Sequence, residues 1–137
     1  KAAKAAKPRR RGAAFVAIRE DGAVLLRKRP ERGLLGGMAE PPTTDWTART
    51  DGAEGVEAAP FVAPWRKAGE VRHVFTHFEL DLAVFAAEVG ARAAPEGCWW
   101  SQADIIHSEA LPSVMKKVIE TAIPGATKAR PRAGRHA

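Results

Sequence analysis

Short apolar runs separated by turn-forming residues follow one another along most of the chain, a pattern typical of β-strands. The first two runs are AAFVAIR at 13–19 and AVLLRKR at 23–29, with Glu20, Asp21 and Gly22 between them. An Asp-Gly pair between two apolar segments favours a tight hairpin turn. The pattern therefore predicts two strands joined by a hairpin.

The stretch 70–88 has the most β-like pattern in the chain. In its second half, apolar residues at Leu80, Leu82 and Val84 alternate strictly with other residues, as in a strand with one buried face. The apolar residues of its first half do not continue the same alternation. A tight turn or a bulge is therefore expected near Thr76 and His77. We predict a second, longer hairpin here.

The remaining segments predict short elements and one packing helix. CWW at 98–100 indicates a short strand, and Ser101 is expected to cap a following helix with Asp104 at its N3 position. SVMKKVIETAI at 113–123 has helical spacing and ends before a Pro-Gly pair. Glycines and prolines exclude a long regular element at 30–42, and one short helix is expected at 55–59. The whole predicts an α+β domain with a mixed sheet and packing helices.

Length and composition allow one compact domain with a hydrophobic core, since the chain has 137 residues of which 45% are hydrophobic. No apolar run approaches the roughly 20 residues that a membrane-spanning helix needs, and no secretory signal segment is present. Cys98 is the single cysteine. It can form no internal disulfide and no Cys-rich metal site. A reducing, cytoplasmic setting fits this composition.

Positive charge is concentrated at the two ends of the chain. Residues 1–11 carry six Lys or Arg and residues 127–137 carry four, so that removing these ten from the net charge of +6 leaves −4 for the body. We expect a basic interdomain linker at 1–11, a folded domain at 12–125 and a basic disordered tail at 126–137. Because no initiator Met opens the chain, a fragment of a larger protein is expected. The ends could attract phosphates without reading sequence, or serve only as solvated linkers.

Catalytic motifs are missing from the sequence. A Nudix hydrolase carries the box G-x5-E-x7-R-E-x-x-E-E-x-G, whose clustered carboxylates hold Mg²⁺. After Gly36 and Gly37 this chain continues MAEPPTTDWTARTDGAEG, in which Glu40 and Asp45 stand without the R-E-x-x-E-E cluster. His73 and His77 are four residues apart, but in a β segment, so zinc ligation is not expected. We predict no catalytic residue and no metal site; a free Nudix hydrolase acting on oxidised nucleoside triphosphates is the alternative.

The segment VRHVFTHFEL (71–80) has the residue types of a nucleic-acid contact. This segment brings a cation, an aromatic ring, a hydroxyl and two imidazoles to a strand–turn–strand junction, through Arg72, His73, Phe75, Thr76 and His77. Aromatic side chains can wedge against bases, and hydroxyl groups can hydrogen-bond to base edges or phosphates. The opposing interpretation is that Phe75 and Phe78 belong to the core and the histidines are merely exposed.

Three segments in order resemble the C-terminal domain of the A/G-specific adenine DNA glycosylases, the MutY family: RKRPERGLLGGMAE, VRHVFTHFEL and WWSQADIIHSEALPSVMKKVIE. The resemblance spans roughly residues 12–123. It implies a Nudix-like fold that lacks the Nudix box, and a domain that recognises 8-oxoguanine opposite adenine in base excision repair. Phe75, Thr76 and His77 match the family's lesion-contacting loop, Thr76 standing where Ser is frequent, and Arg72 lies beside them. Ala39 and Pro41 depart from the family pattern, which usually has large apolar residues there.

The resemblance also implies what the rest of the protein would supply. A separate N-terminal glycosylase domain would flip and excise the adenine and would carry the family's 4Fe–4S cluster, so no cofactor is expected in this chain. The expected partners are that domain and double-stranded DNA with an 8-oxoguanine·adenine mismatch. We expect a monomer without membrane contact, in the bacterial cytoplasm and associated with the nucleoid. A third possibility is a domain for protein contacts that docks through RPERGLLGGM.

Overall fold

The computed structural model describes residues 6–129, which form one six-stranded mixed sheet with a helix packed on it. The strands and the helix are β1 (Arg9–Arg19), β2 (Val24–Lys28), β3 (Ala39–Glu40), β4 (Arg66–Val74), β5 (Glu79–Gly90), β6 (Cys98–Ser101) and α1 (Ser113–Ala122). Two short 3-10 helices span Val56–Ala58 and Ile106–Ser108. Strands β1 and β5 pair in parallel at the centre, and the strand order is β3-β2-β1-β5-β4, with β6 also paired to β2.

Both predicted hairpins are confirmed. In the first, the amide of Arg19 donates to the carbonyl of Ala23 at 2.8 Å, and Gly22 adopts a φ of 89° that favours glycine. In the second, β4 runs antiparallel to β5 and the turn falls at 75–78. The short strand β6, the helix α1 and the short helix near 55–59 are also where the sequence predicted them.

The core lies between one face of the sheet and α1. The alternation of β5 places Leu82 and Val84 on this face, where both are fully buried. Helix α1 buries the stripe that its spacing predicted, formed by Val114, Met115, Val118 and Ile119. Since burial of large apolar side chains is the main stabilising term in folding, this layer holds the sheet and helix together.

The opposite face of the sheet is divided into an aromatic part and a charged part. Phe15 on β1 stacks on Phe85 of β5 with ring centroids 5.5 Å apart, and Trp65 meets Phe15 edge-on at 5.4 Å. Nearer the 75–78 turn, the same face carries Arg9 and Asp81 instead. The charged part therefore lies beside the turn that was predicted to carry function.

The structure corrects three sequence-based expectations. Arg9–Arg11 belong to β1 rather than to a linker at 1–11, because they pair with Glu79–Asp81 of β5. Residues 126–128 are not part of a disordered tail, since Ala126 is buried and Glu120 accepts hydrogen bonds from Thr127. The outer parts of both predicted ends, 1–5 and 130–137, lie outside the described residues.

The third correction concerns the predicted helix cap at Ser101. Ser101 ends β6, where it pairs with Val24 of β2, and its hydroxyl is buried without a hydrogen-bond partner. Tertiary pairing has overridden a local capping signal here, since the strand offers ladder hydrogen bonds that one side-chain bond cannot replace. No helix among residues 6–129 is long and apolar enough to cross a membrane.

We predict that Leu82→Ala lowers the free energy of unfolding by about 2–5 kcal/mol, because it leaves a cavity between β5 and α1. The matched control is Val62→Ala, since the Val62 side chain is 95% exposed; its effect should stay within about 0.5 kcal/mol. Urea unfolding monitored by tryptophan fluorescence measures both. Equal effects of the two substitutions would contradict the assigned core.

Candidate functional site

The turn between β4 and β5 has a rigid base. The amide of Phe75 donates to the carbonyl of Phe78 at 2.8 Å, and the two rings stack with centroids 4.7 Å apart and planes 16° apart. Phe78 is buried in the core, and Phe75 packs against the same cluster while remaining half-buried. The aromatic pair thus anchors the turn to the domain.

Thr76 and His77 form the exposed tip of this turn. Their side chains are exposed to solvent, where a hydroxyl and an imidazole can offer hydrogen-bond donors and acceptors. Phe75 is not a free wedge, because its ring is held by Phe78. In the structure, the two polar residues are thus accessible at the tip, whereas the aromatic residue supports the turn.

Two lysines that the sequence did not single out make contacts here, one with the turn and the other with the strand that leads into it. The Lys7 ammonium donates to the carbonyl of Phe75 at 2.9 Å. From α1, Lys117 Nζ lies 3.1 Å from His73 Nδ1, and the His73 ring meets Phe75 edge-on at 4.7 Å. These contacts join residues 68 and 44 positions apart, so no local sequence signal could have revealed them.

Arg72 is not part of the cluster at the tip. Its guanidinium donates to the Asp81 carboxylate at 2.8 Å, and this hydrogen bond raises the pKa of Arg72. Arg9 lies 3.6 Å from the same carboxylate group. Because side chains alternate across a strand, Arg72 and His73 face opposite sides of the sheet. Of the four predicted site residues, the structure brings together Phe75, Thr76 and His77, with Arg72 on the neighbouring charged face.

The glycine-rich loop between β2 and β3 is organised by one buried carboxylate. Glu40 is 1% exposed, and its two oxygens accept hydrogen bonds from Arg27 at 2.8 Å and from Arg29 at 2.7 Å. Arg29 also donates to the carbonyl of Leu34 and lies over the ring of buried Trp46. Both oxygens of Glu40 are therefore engaged in holding the loop.

The segment where a catalytic Nudix box would lie forms no α-helix. Residues 41–55, which follow β3, are irregular apart from a single bridge between Thr43 and Ala14. Within residues 6–129 no group of three or more His, Cys, Asp or Glu side chains is placed to hold a metal ion. The carboxylate clustering that Mg²⁺-dependent pyrophosphate chemistry requires is absent from this part of the chain.

A family model described as NUDIX domain matches residues 13–121. The chain belongs to the NUDIX-domain family. This NUDIX domain is 29% identical over 131 residues to the human adenine DNA glycosylase, an alignment that covers 81% of this chain and 23% of that protein. It therefore spans less than a quarter of the length of the curated relative.

Solved structures show the same fold. The C-terminal domain of mouse MUTYH, in complex with human PCNA, matches with a TM-score of 0.62 at 24% identity, covering 82% of this chain and 86% of that one. The MutT protein of Methanosarcina mazei Go1 matches with a TM-score of 0.61 at 18% identity, covering 85% and 94%. The predicted Nudix-like α+β fold and the resemblance to adenine DNA glycosylases are confirmed.

We predict that Glu40→Gln lowers the free energy of unfolding by about 3–5 kcal/mol, because it leaves two arginines without their buried counter-charge. Urea unfolding measures the change. Glu31→Gln is the matched control, since Glu31 pairs with Lys28 but its side chain is 73% exposed; a change below about 1 kcal/mol is expected. A similar small effect at both positions would show that the Glu40 pairs do not stabilise the loop.

A pH prediction follows from His73. Its burial, and then the charge of Lys117, lower the pKa of His73 below the ordinary value. The unfolded chain therefore takes up a proton at this residue before the folded chain does, so the free energy of unfolding should decrease as pH falls through about 6.5. Denaturant unfolding over a pH series should show a shallower decrease for His73→Gln.

The same lowered pKa should be visible directly in an NMR titration of the His73 ring. Lys117→Met should move the midpoint upwards, because the neighbouring positive charge is removed. An unchanged midpoint in Lys117→Met, or identical pH dependence in wild type and His73→Gln, would contradict the contact between helix and strand.

Proposed function

We propose that this NUDIX domain is the DNA-lesion recognition domain of an adenine DNA glycosylase, reading 8-oxoguanine opposite adenine in base excision repair. The observation that carries the proposal is the exposed pair Thr76 and His77 on a turn whose base is fixed by stacked aromatic rings. The similarity to the human adenine DNA glycosylase supports it.

The chemistry of the tip suits this discrimination. Guanine presents N7 as an acceptor in the major groove, whereas 8-oxoguanine has an N7–H donor and an added oxygen at C8. The Thr76 hydroxyl can accept a hydrogen bond from such a donor, and the imidazole of His77 can accept or donate. When the polar groups of a binding site form hydrogen bonds with one base, the same groups lose these partners when a different base is bound. The lost hydrogen bonds are the usual source of strong discrimination between the two bases.

In this proposal the domain itself catalyses nothing. Excision of the adenine belongs to a separate N-terminal glycosylase domain with its 4Fe–4S cluster, and the recognition domain stabilises a duplex from which the adenine has been flipped, a motion that costs a few kcal/mol. The two engaged oxygens of Glu40 and the irregular segment 41–55 support a binding role over hydrolysis.

Duplex binding tests the proposal, comparing 8-oxoguanine·A with G·A at two salt concentrations. We expect a preference for the oxidised duplex that Thr76→Ala and His77→Ala each reduce by about 1–3 kcal/mol. Thr76→Ser is the matched control, because it retains the hydroxyl and should retain the preference. Equal and steeply salt-dependent binding of both duplexes would overturn the assignment of the tip.

Incubation with Mg²⁺ and 8-oxo-dGTP separates the proposal from the hydrolase alternative. No release of pyrophosphate is expected. Release of pyrophosphate that depends on Mg²⁺ would instead establish a hydrolase.

A further inference from the structure

The cations around the 75–78 turn differ in how their charge is balanced. On the charged face of the sheet, Arg9 contacts the carboxylates of Glu79 and Asp81. Arg72 pairs with Asp81, and Lys67 pairs with Glu70. Such pairs leave little net charge for a ligand. The two lysines that flank the turn have no carboxylate partner among the residues that the structure describes.

Neutral acceptors hold both flanking lysines in place. Lys7 donates to the main-chain carbonyl of Phe75, and Lys117 points at the Nδ1 atom of His73. Both lysines are exposed. A carbonyl or a neutral imidazole orients an ammonium group but does not neutralise it, so each lysine keeps a full positive charge beside the tip.

The surroundings of His73 agree with this view. Burial of the ring is the larger cause of the lowered pKa of His73, and the nearby positive charge of Lys117 is the second cause. An imidazole that stays neutral keeps its lone pair for the lysine and adds no repulsion. The turn therefore presents a polar tip, Thr76 and His77, close to two oriented positive charges.

We propose that Lys7 and Lys117 bind DNA phosphates beside the nucleotide that Thr76 and His77 read. The inference rests on the proposed function and assigns this surface to the sugar-phosphate backbone. Phosphate contacts position a protein on a duplex and carry no sequence information, whereas contacts to base edges provide the specificity. The lysines and the tip accordingly have separable roles at one site.

The salt dependence of binding distinguishes these roles. Each phosphate neutralised by a lysine contributes about −0.9 to the slope of log K against log salt, or about a 3.5-fold loss of affinity between 50 and 200 mM salt. We expect Lys7→Gln and Lys117→Gln each to make the slope shallower by about one unit, on undamaged and oxidised duplexes alike. The ratio of affinities for the two duplexes should stay unchanged.

Two matched controls accompany these variants. Lys116→Gln removes the same charge from the neighbouring exposed position of α1, which is not bonded to His73, and should leave the slope unchanged. Lys117→Arg retains the charge and should retain the wild-type slope. Because the three α1 variants leave the basic ends of the chain unchanged, the contribution of those ends cancels when they are compared with one another and with the wild type.

Wild-type slopes in both Gln variants, or no duplex binding at any salt concentration, would overturn the inference. So would a changed affinity ratio with an unchanged slope, since the lysines would then only position the turn. Failure of the lesion preference in the wild type, together with shallower slopes in both variants, would refute the proposed reading of 8-oxoguanine while supporting the phosphate contacts.

Discussion

The parallel pairing of β1 with β5 is the constraint on which the rest of the structure depends. It places the two most continuously buried strands at the centre of the sheet, with one face under α1 and the other under an aromatic cluster. Because the pairing is parallel, both strands begin at the same end of the sheet. The chain that enters β1 at Lys7 and Pro8 therefore runs beside the turn that leads into β5.

This arrangement explains why the candidate site is rigid. Pro8 accepts a hydrogen bond from the amide of Glu79 at 2.9 Å, directly after the turn. Within the turn, the ring of Phe75 stacks on the buried ring of Phe78. A turn whose backbone is supported by a neighbouring strand and a buried aromatic ring presents its two tip residues on a defined backbone, as the proposed recognition of a modified base requires.

The glycine-rich loop shows how a NUDIX scaffold can persist without a carboxylate cluster. Glu40 lies on β3 and has the chemistry of a metal ligand. Both of its oxygens, however, accept hydrogen bonds from arginines, one from Arg27 on β2 and the other from Arg29 just after β2. A buried carboxylate with two arginine partners organises a loop that glycines and prolines leave without regular structure. In this chain the carboxylate of Glu40 stabilises the structure of the loop.

The sequence by itself determined the two hairpins, the short strand that begins at Cys98, the helix and the turn at 75–78, because periodic burial and turn chemistry are properties of short, local segments. It did not predict the two-residue strand β3, which is defined by its pairing with β2. It also indicated Thr76 and His77, through their residue types at a junction. Only the tertiary structure decided that Arg9–Arg11 extend β1, that Ser101 ends a strand, and that Phe75 supports the tip. These outcomes depend on pairings between positions far apart in the chain, as do the contacts of Lys7 and Lys117, and no local pattern encodes them.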